Sequence, residues 1–488
     1  MTNPKSFIYL LVLLLLQDCV CREGISEEQE EHNVKPYLRR TNFETIAVSA
    51  NLGDHESSFR NIEDQALSSF RKKHHLKSDV GLDLYDFSSS VKDSLTTIKN
   101  TYIAVNGDQY FLTNLVPMDI YTKDATFIVD GKEQNITGPA INESNIFVSE
   151  EDSYTVLLVT DDENGRREVQ SVSIFCKKGP EVHMESILPG SNILATIKSE
   201  DFHPNYVQIL EELEMKGISS NVKTMMNGTE EENEENEEED IGRGEDGILS
   251  DMKDFFINEK RKTELDSSSN SANNCSQYYM IQIAIAFDST FCGQSSSRYG
   301  NAKKQIEITV AQASVRFQGQ GVCAKVLVSH LEGYCKPETD PYKTFIDSTG
   351  NIGCGTNVGI LDKVEKYWFE NKGLVHRKAT HFVFAKSLNE NIIGCAKIDN
   401  LCNNRMSYGV DNFVIFPSAN LRGILLTHEL GHNVGLRHVT ANQRNPLCIM
   451  RPTPGADGNN YAWCDKSINH LKTLLHSWDV DYNCVHKQ

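Results

Sequence analysis

Three histidines constrain this chain more than any other feature. They stand in the run His428-Glu429-Leu430-Gly431-His432-Asn433-Val434-Gly435-Leu436-Arg437-His438, at the end of a segment, 419–434, that reads as a helix. Residues four apart project from one helical face, so His428 and His432 aim at one point. Glu429 lies one step round, beside that point without being a ligand. Gly435 takes the positive φ that ends a helix and turns the chain, and the turn brings His438 in from another direction. Three neutral nitrogens around one ion leave a fourth position open for water, which is the pattern of a catalytic zinc centre. Zinc acidifies that water, and Glu429 stands where a general base would take its proton. The competing reading is three unrelated surface histidines near a glutamate. It must produce the whole spacing by chance, at the end of a helix that follows an extended segment. His330, His376, His381, His470 and His476 have no such spacing and read as ordinary core or surface histidines.

The rest of the chain suits an extracellular setting. Lys5 and the apolar run 7–16 resemble a secretory signal, with the small residues Cys19 and Cys21 placing the cut near residue 21. The run is about half the ~20 residues a spanning helix needs, so a membrane anchor is not expected. Of 13 cysteines, ten fall between Cys275 and Cys484, a density that belongs to an oxidising compartment. Asn135, Asn142, Asn227 and Asn274 open glycosylation sequons. The formal net charge of −20 is uneven: from Thr263 onward there are 22 Lys+Arg against 19 Asp+Glu, and before it 26 against 49. No basic face is evident, which argues against a nucleic-acid partner.

Composition divides the chain into four parts: 1–21 signal peptide, 22–228 N-terminal domain, 229–273 linker, and 274–488 zinc domain. The N-terminal domain is expected to be mostly β, with strands over 102–105, 109–115, 125–129, 154–159 and 169–175 between Gly, Asn and Asp turns. From Glu230 to Asp240 nine of eleven residues are acidic, a block that repels itself and buries no core. Lys260-Arg261-Lys262 then offers a basic processing site in an exposed stretch. Beyond it, strands are expected at 278–287, 324–329 and 380–386, an extended segment at 406–416, and helices at 298–316, 360–371, 419–434 and 465–476. That alternation points to an α/β domain with a twisted, mostly parallel sheet.

The eleven-residue run resembles the metzincin signature. Cys448-Ile449-Met450-Arg451-Pro452 is similar to the Met-turn of the adamalysins or reprolysins, the family of snake-venom metalloproteases and membrane-anchored sheddases. The resemblance extends over roughly 275–485, with 280–289 like the family's first strand and 461–484 like its final helix and last cysteine. It implies a metzincin-type fold with an active-site helix and a small C-terminal subdomain, and a preceding prodomain. It also implies one catalytic zinc on His428, His432 and His438, Glu429 as base, and Met450 as a hydrophobic floor. Proteins or peptides would be the substrates, and a monomer is expected. Val439 departs from the family, which usually has Asp after the third histidine. Gln282 and Lys487 replace residues often involved in calcium binding there, so a family-type calcium site is not expected.

The family joins cysteines matching Cys402 and Cys484. Cys448 and Cys464 lack their usual partners and are candidates to pair together, while the other six in the domain leave 15 connectivities open. Cys176 is left over. As a thiolate, favoured by Lys177 and Lys178, it is a candidate to fill the fourth zinc position of an inactive precursor, although Gly179 comes only after both lysines. The alternatives are a free or intermolecularly bonded thiol, or a partner for one of the ten. A binding module that keeps the fold without catalysis is a rival for the whole protein. Such relatives typically lose the Glu or a His, and all four residues are intact here.

Overall fold

The computed structural model describes residues 44–49, 64–79, 82, 84–86, 101–105, 108–112, 115–134, 145–151, 153–163, 166–176, 181–187, 193–197, 275–349, 352, 359–388, 393–403, 405–416, 418–439, 448–451 and 462–488. The expected signal peptide, acidic linker, basic processing site and four sequon asparagines lie outside these residues.

The N-terminal part is mainly β, as its alternating pattern predicts. Its elements are β1 (Glu44–Ser49), α1 (Asp64–Lys73), β2 (Leu84–Asp86), β3 (Thr101–Val105), β4 (Asp108–Leu112), β5 (Val116–Pro117), β6 (Tyr121–Val129), β7 (Lys132–Gln134), β8 (Ile146–Glu150), β9 (Tyr154–Glu163), β10 (Arg166–Cys176), β11 (Val182–Ser186) and β12 (Ile193–Thr196). All but β6 and β7 form one sheet in the order β4-β3-β1-β2-β12-β11-β10-β9-β8-β5. Helix α1 was not foreseen from the sequence.

The C-terminal part alternates as expected: β13 (Tyr279–Phe287), α2 (Ser289–Gln294), α3 (Tyr299–Gln318), β14 (Ala324–Gly333), α4 (Lys343–Thr349), α5 (Ile360–Asn371), β15 (Ala379–Phe384), β16 (Gly394–Ala396), β17 (Tyr408–Asn412), α6 (Ala419–Val434) and α7 (Asp465–Val480). Its sheet runs β16-β17-β15-β13-β14-β6-β7. The pairs from β17 to β6 are parallel, and the two outermost pairs are antiparallel.

A parallel sheet must be covered on both faces, and β13 shows how the sequence meets that demand. Tyr279, Ile281, Ile283, Ile285 and Phe287 point into one core, while Ala284 and Ala286 point into another. On the second face Leu361, Val364 and Trp368 of α5 pack with Phe382, Phe384 and Tyr408. On the first, α3 lies against α6, whose Gly423 permits close approach to Gln312.

The sequence did not reveal that β6 and β7 leave the N-terminal sheet and extend the C-terminal one. Thr126 pairs with His330, and Phe127 with Leu331. The first core is correspondingly shared, with Ile120, Phe127, Leu157 and Phe175 clustering with Ile281 and Val328.

Gly333 ends β14 beneath the Phe287 ring, where a Cβ would overlap the ring atoms. Gly333→Ala is therefore expected to destabilise the fold by about 1–3 kcal/mol, the range for overpacking a filled core. Urea denaturation measures this, and an unchanged midpoint would contradict the packing described.

Candidate metal centre

Helix α6 begins where the sequence expectation put it. Ser418 is its N-cap and accepts a hydrogen bond from the Asn420 amide, satisfying one of the helix's free donors. The helix ends at Gly435, which has φ 127°, and the Gly435 and Leu436 amides both donate to the Gly431 carbonyl. A side chain at 435 would be strained by that φ and crowded by Leu474.

The turn delivers His438 to the two helical histidines. Nε2 of His428 lies 3.1 Å from Nε2 of His432 and 3.1 Å from Nε2 of His438, and the third side of the triangle is 3.0 Å. A tetrahedral ion with bonds of about 2.0–2.1 Å needs nitrogens roughly 3.3 Å apart, so the donor set fits zinc. The opposite ring nitrogens settle the tautomers. Nδ1 of His428 donates to the Ile449 carbonyl at 2.6 Å, and Nδ1 of His432 donates to the Leu436 carbonyl at 2.7 Å. Both Nε2 atoms therefore present lone pairs.

Electrostatics favour the same state. Burial lowers the His428 pKa, although the Ile449 bond and Asp411 oppose it. Burial, reinforced by His428 and His438, holds His432 well below its ordinary value. Burial and then His428 push His438 down to about 3. Neutral imidazoles are what a metal requires.

Glu429 is buried, and its Oε2 has no hydrogen-bond partner among the described residues. Burial first, then the nearby Asp411, raises its pKa well above the carboxylate range. An orphaned buried carboxyl beside three converging imidazoles is a mark of a site built around something else. Gly394 on β16 makes room for it, since a Cβ there would overlap the Glu429 carboxylate and come within 2.8 Å of Leu425.

The layer beneath was largely missed by sequence reasoning. Asn433 donates from Nδ2 to the Lys397 and Tyr408 carbonyls, and its Oδ1 lies 3.1 Å from Nε2 of His381. Nδ1 of His381 lies 2.9 Å from Asp411 Oδ2. His381, read as an ordinary core histidine, thus tethers the metal helix to β17. His330 bonds Thr126 instead, and His376 bonds Gln282, one of the two positions that depart from the family's calcium pattern. The other, Lys487, places its ammonium over the Tyr279 ring.

Met450 is fully buried under the helix, close enough that a Cβ on Gly431 would lie 2.8 Å from its sulfur. The disulfide Cys448–Cys464 closes this turn, and Val439, in the unusual position, donates its amide to the Met450 carbonyl. Cys402 joins Cys484 as the family likeness implied, and two of the open pairings resolve as Cys275–Cys323 and Cys292–Cys335. Cys395 is also disulfide-bonded.

Cys176 takes one of the states that the sequence left open. It ends β10, is buried in the N-terminal core and is itself disulfide-bonded. A sulfur engaged in a disulfide has no thiolate to offer a metal, so in this state Cys176 does not cap zinc, in keeping with the paired alternative.

Comparison with known proteins agrees with the geometry. Residues 358–488 match the model of the Reprolysin (M12B) family zinc metalloprotease. Snake venom metalloproteinase trimerelysin-2 of Protobothrops flavoviridis is 33% identical over 97 residues, which are 20% of this chain and 47% of that protein. The chain thus spans about half the length of this curated relative. Over residues 358–488 the C-terminal part is similar to reprolysin-family zinc metalloproteases.

His432→Ala removes the ligand that closes the triangle. Zinc affinity should fall by more than the ~10–100-fold typical of losing an outer-shell partner, read by elemental analysis after dialysis against a competing chelator. Full zinc occupancy in this variant would show that the three histidines are not the site.

Proposed function

We propose that the chain is a secreted zinc-dependent metalloendopeptidase, made as a precursor, that hydrolyses peptide bonds of extracellular proteins with Glu429 as general base. The observation that carries this reading is the triangle of imidazole lone pairs set beside a buried, partnerless carboxyl. A zinc ion held by His428, His432 and His438 would supply an acidified water and polarise the scissile carbonyl. Glu429 would take a proton from such a water at Oε2, the oxygen without a partner among the described residues. Burial and then Asp411 raise the Glu429 pKa, the direction that strengthens a general base. Gly394 places strand β16 against Glu429, and β16 ends the sheet among the described residues.

Secretion is supported by the apolar N-terminal run and the cysteine density, and no helix among the described residues is long and apolar enough to cross a membrane. Precursor processing is supported by the acidic block followed by Lys260-Arg261-Lys262. The intact Glu429 and histidines weigh against a binding module without catalysis.

Two measurements test this. Glu429→Ala should retain zinc while losing about 10²–10⁴-fold in turnover on a general protein substrate, the range for removing a general base. A chelator should abolish wild-type activity, and undiminished turnover in the variant would remove Glu429 from the mechanism. Separately, N-terminal sequencing of the secreted enzyme should begin within a few residues of Thr263. A start near residue 22 would mean that no cut is made in the linker.

A further inference from the structure

The start of the metal helix carries a cluster of charged groups that the mechanism does not use, supplied by the N-terminal part of the chain. Glu185 of β11 stands at its centre. Its Oε1 accepts from the Ala419 amide at 3.1 Å, laying a carboxylate on the positive end of α6, and lies 3.0 Å from Nε2 of His183. Its Oε2 accepts from the Lys73 ammonium at 3.3 Å. The other ring nitrogen of His183 lies 2.7 Å from the Ser173 hydroxyl, which accepts from Gln312 of α3 at 2.7 Å. Helices α3 and α6 are thus joined to one row of N-terminal polar side chains.

His74 is the odd member of this cluster. Its ring, just past the end of α1, is buried against Phe70, and neither ring nitrogen has a hydrogen-bond partner among the described residues. Nε2 lies 3.4 Å from Glu185 Oε2, an oxygen already engaged by Lys73. Four titratable or charged groups bear on the ring: Glu185 and His183 from β11, Lys73 beside it, and Arg422 from α6. Burial, reinforced by Lys73, His183 and Arg422 and opposed by Glu185, lowers the His74 pKa from the ordinary 6.5 to about 3. Burial acts to raise the Glu185 pKa, but neighbouring positive charge, Lys73 foremost, holds it well below the ordinary range. Glu185 therefore keeps its charge in mild acid, and His74 is the group that a neutral seam excludes from charging.

We infer that His74 is an acid-sensitive latch between the N-terminal region and the metal helix: the region stays docked while the ring is neutral and comes away from α6 when acid puts a proton on it. The inference rests on the reading of the chain as a precursor cut in its linker. The cut severs the chain, and the latch sets the acidity at which the severed N-terminal piece leaves. The sign follows from linkage. Docking requires the neutral ring, so the attachment has its full strength above pH 6.5 and weakens by about tenfold for each unit below it, until the docked value is reached. At about pH 5 His74 alone weakens it by roughly 30-fold. Glu181 works the other way. Burial raises its pKa although Arg316 lies 2.7 Å away, so the docked state takes up a proton there as the pH falls.

The test supplies its own cut. Residues 260–262 are replaced by the recognition sequence of a site-specific protease, and the purified full chain is tethered through its N-terminal piece and cut. Release of the C-terminal piece is then followed at about pH 7.5 and about pH 5, since changes in affinity at one interface fall mainly on the dissociation rate. Release is expected to be about tenfold or more faster at the lower pH, Glu181 offsetting part of the His74 effect. His74→Phe keeps a neutral ring and gives up no hydrogen bond, so it should hold as tightly at about pH 7.5 and lose most of that acceleration. His74→Gln is read in the same way should the first variant fail to fold. Equal release of the wild type at the two pH values overturns the proposal, and so does a variant that accelerates as much as the wild type. Separation at about pH 7.5 as soon as the cut is made overturns it too. A chain without proteolytic activity, or without a natural cut near Thr263, would instead count against the precursor reading and leave these release rates unchanged.

Discussion

The structure turns on one demand: three imidazoles must bring bare nitrogens to within about 3 Å of each other without hydrogen-bonding to anything else. Left alone, such lone pairs repel and the rings would rotate away. Their other nitrogens prevent this, because each Nδ1–H of the two helical rings is anchored on a backbone carbonyl. One of those carbonyls, from Leu436, belongs to the turn that Gly435 makes possible. The other, from Ile449, belongs to the Met-turn, so the orientation of His428 depends on a loop twenty residues downstream. The Cys448–Cys464 disulfide and the Val439 amide on the Met450 carbonyl hold that loop to the helix. Met450 thus has a packing role, and the polar work is done by its neighbour's backbone.

A helix that carries such a site must itself be fixed at both ends. At the C-terminal end the orphan carbonyls of His432 and Asn433 accept from the amides of Asp399, Asn400 and Leu401. Asn433 adds two side-chain bonds to the backbone and reaches His381, which reaches Asp411. At the N-terminal end Ser418 and Glu185 satisfy the free amides of Asn420 and Ala419. Asp411 is also the residue whose charge bears on both His428 and Glu429. Mechanical support and electrostatic tuning of the site therefore pass through the same buried carboxylate.

The legible parts of this arrangement are those whose geometry is local. His428, His432, Gly435 and His438 lie within eleven residues, and helix periodicity plus one glycine turn determine where they meet. Strand β13 was readable because burial on both faces forces an apolar run, broken only by Gln282, and α3, α5, α6 and α7 followed from periodicity and flanking turn residues. What failed was everything set by pairing at a distance. Nothing in the segment 121–129 says that it leaves its own sheet for a strand two hundred residues away. Gly394 is one of 31 glycines, and only the fold puts Glu429 against it. A count of cysteines left the state of Cys176 open, because spacing carries no information about partners.

Linking the helix start to a distant sheet has a physical consequence that charge alone would not suggest. The first 262 residues carry most of the negative charge, and much of it lies in the self-repelling block before residue 241, where solvation is explanation enough. Glu181 and Glu185 are acids of a different kind. Glu185 is buried and Glu181 is partly buried, and each faces positive charge on the other part of the chain: the end of a helix dipole in the first case, a guanidinium in the second. Taking them away leaves Arg316 buried without its carboxylate and the first amide of α6 without an acceptor. The cost falls at the base of the helix that bears His428, Glu429 and His432.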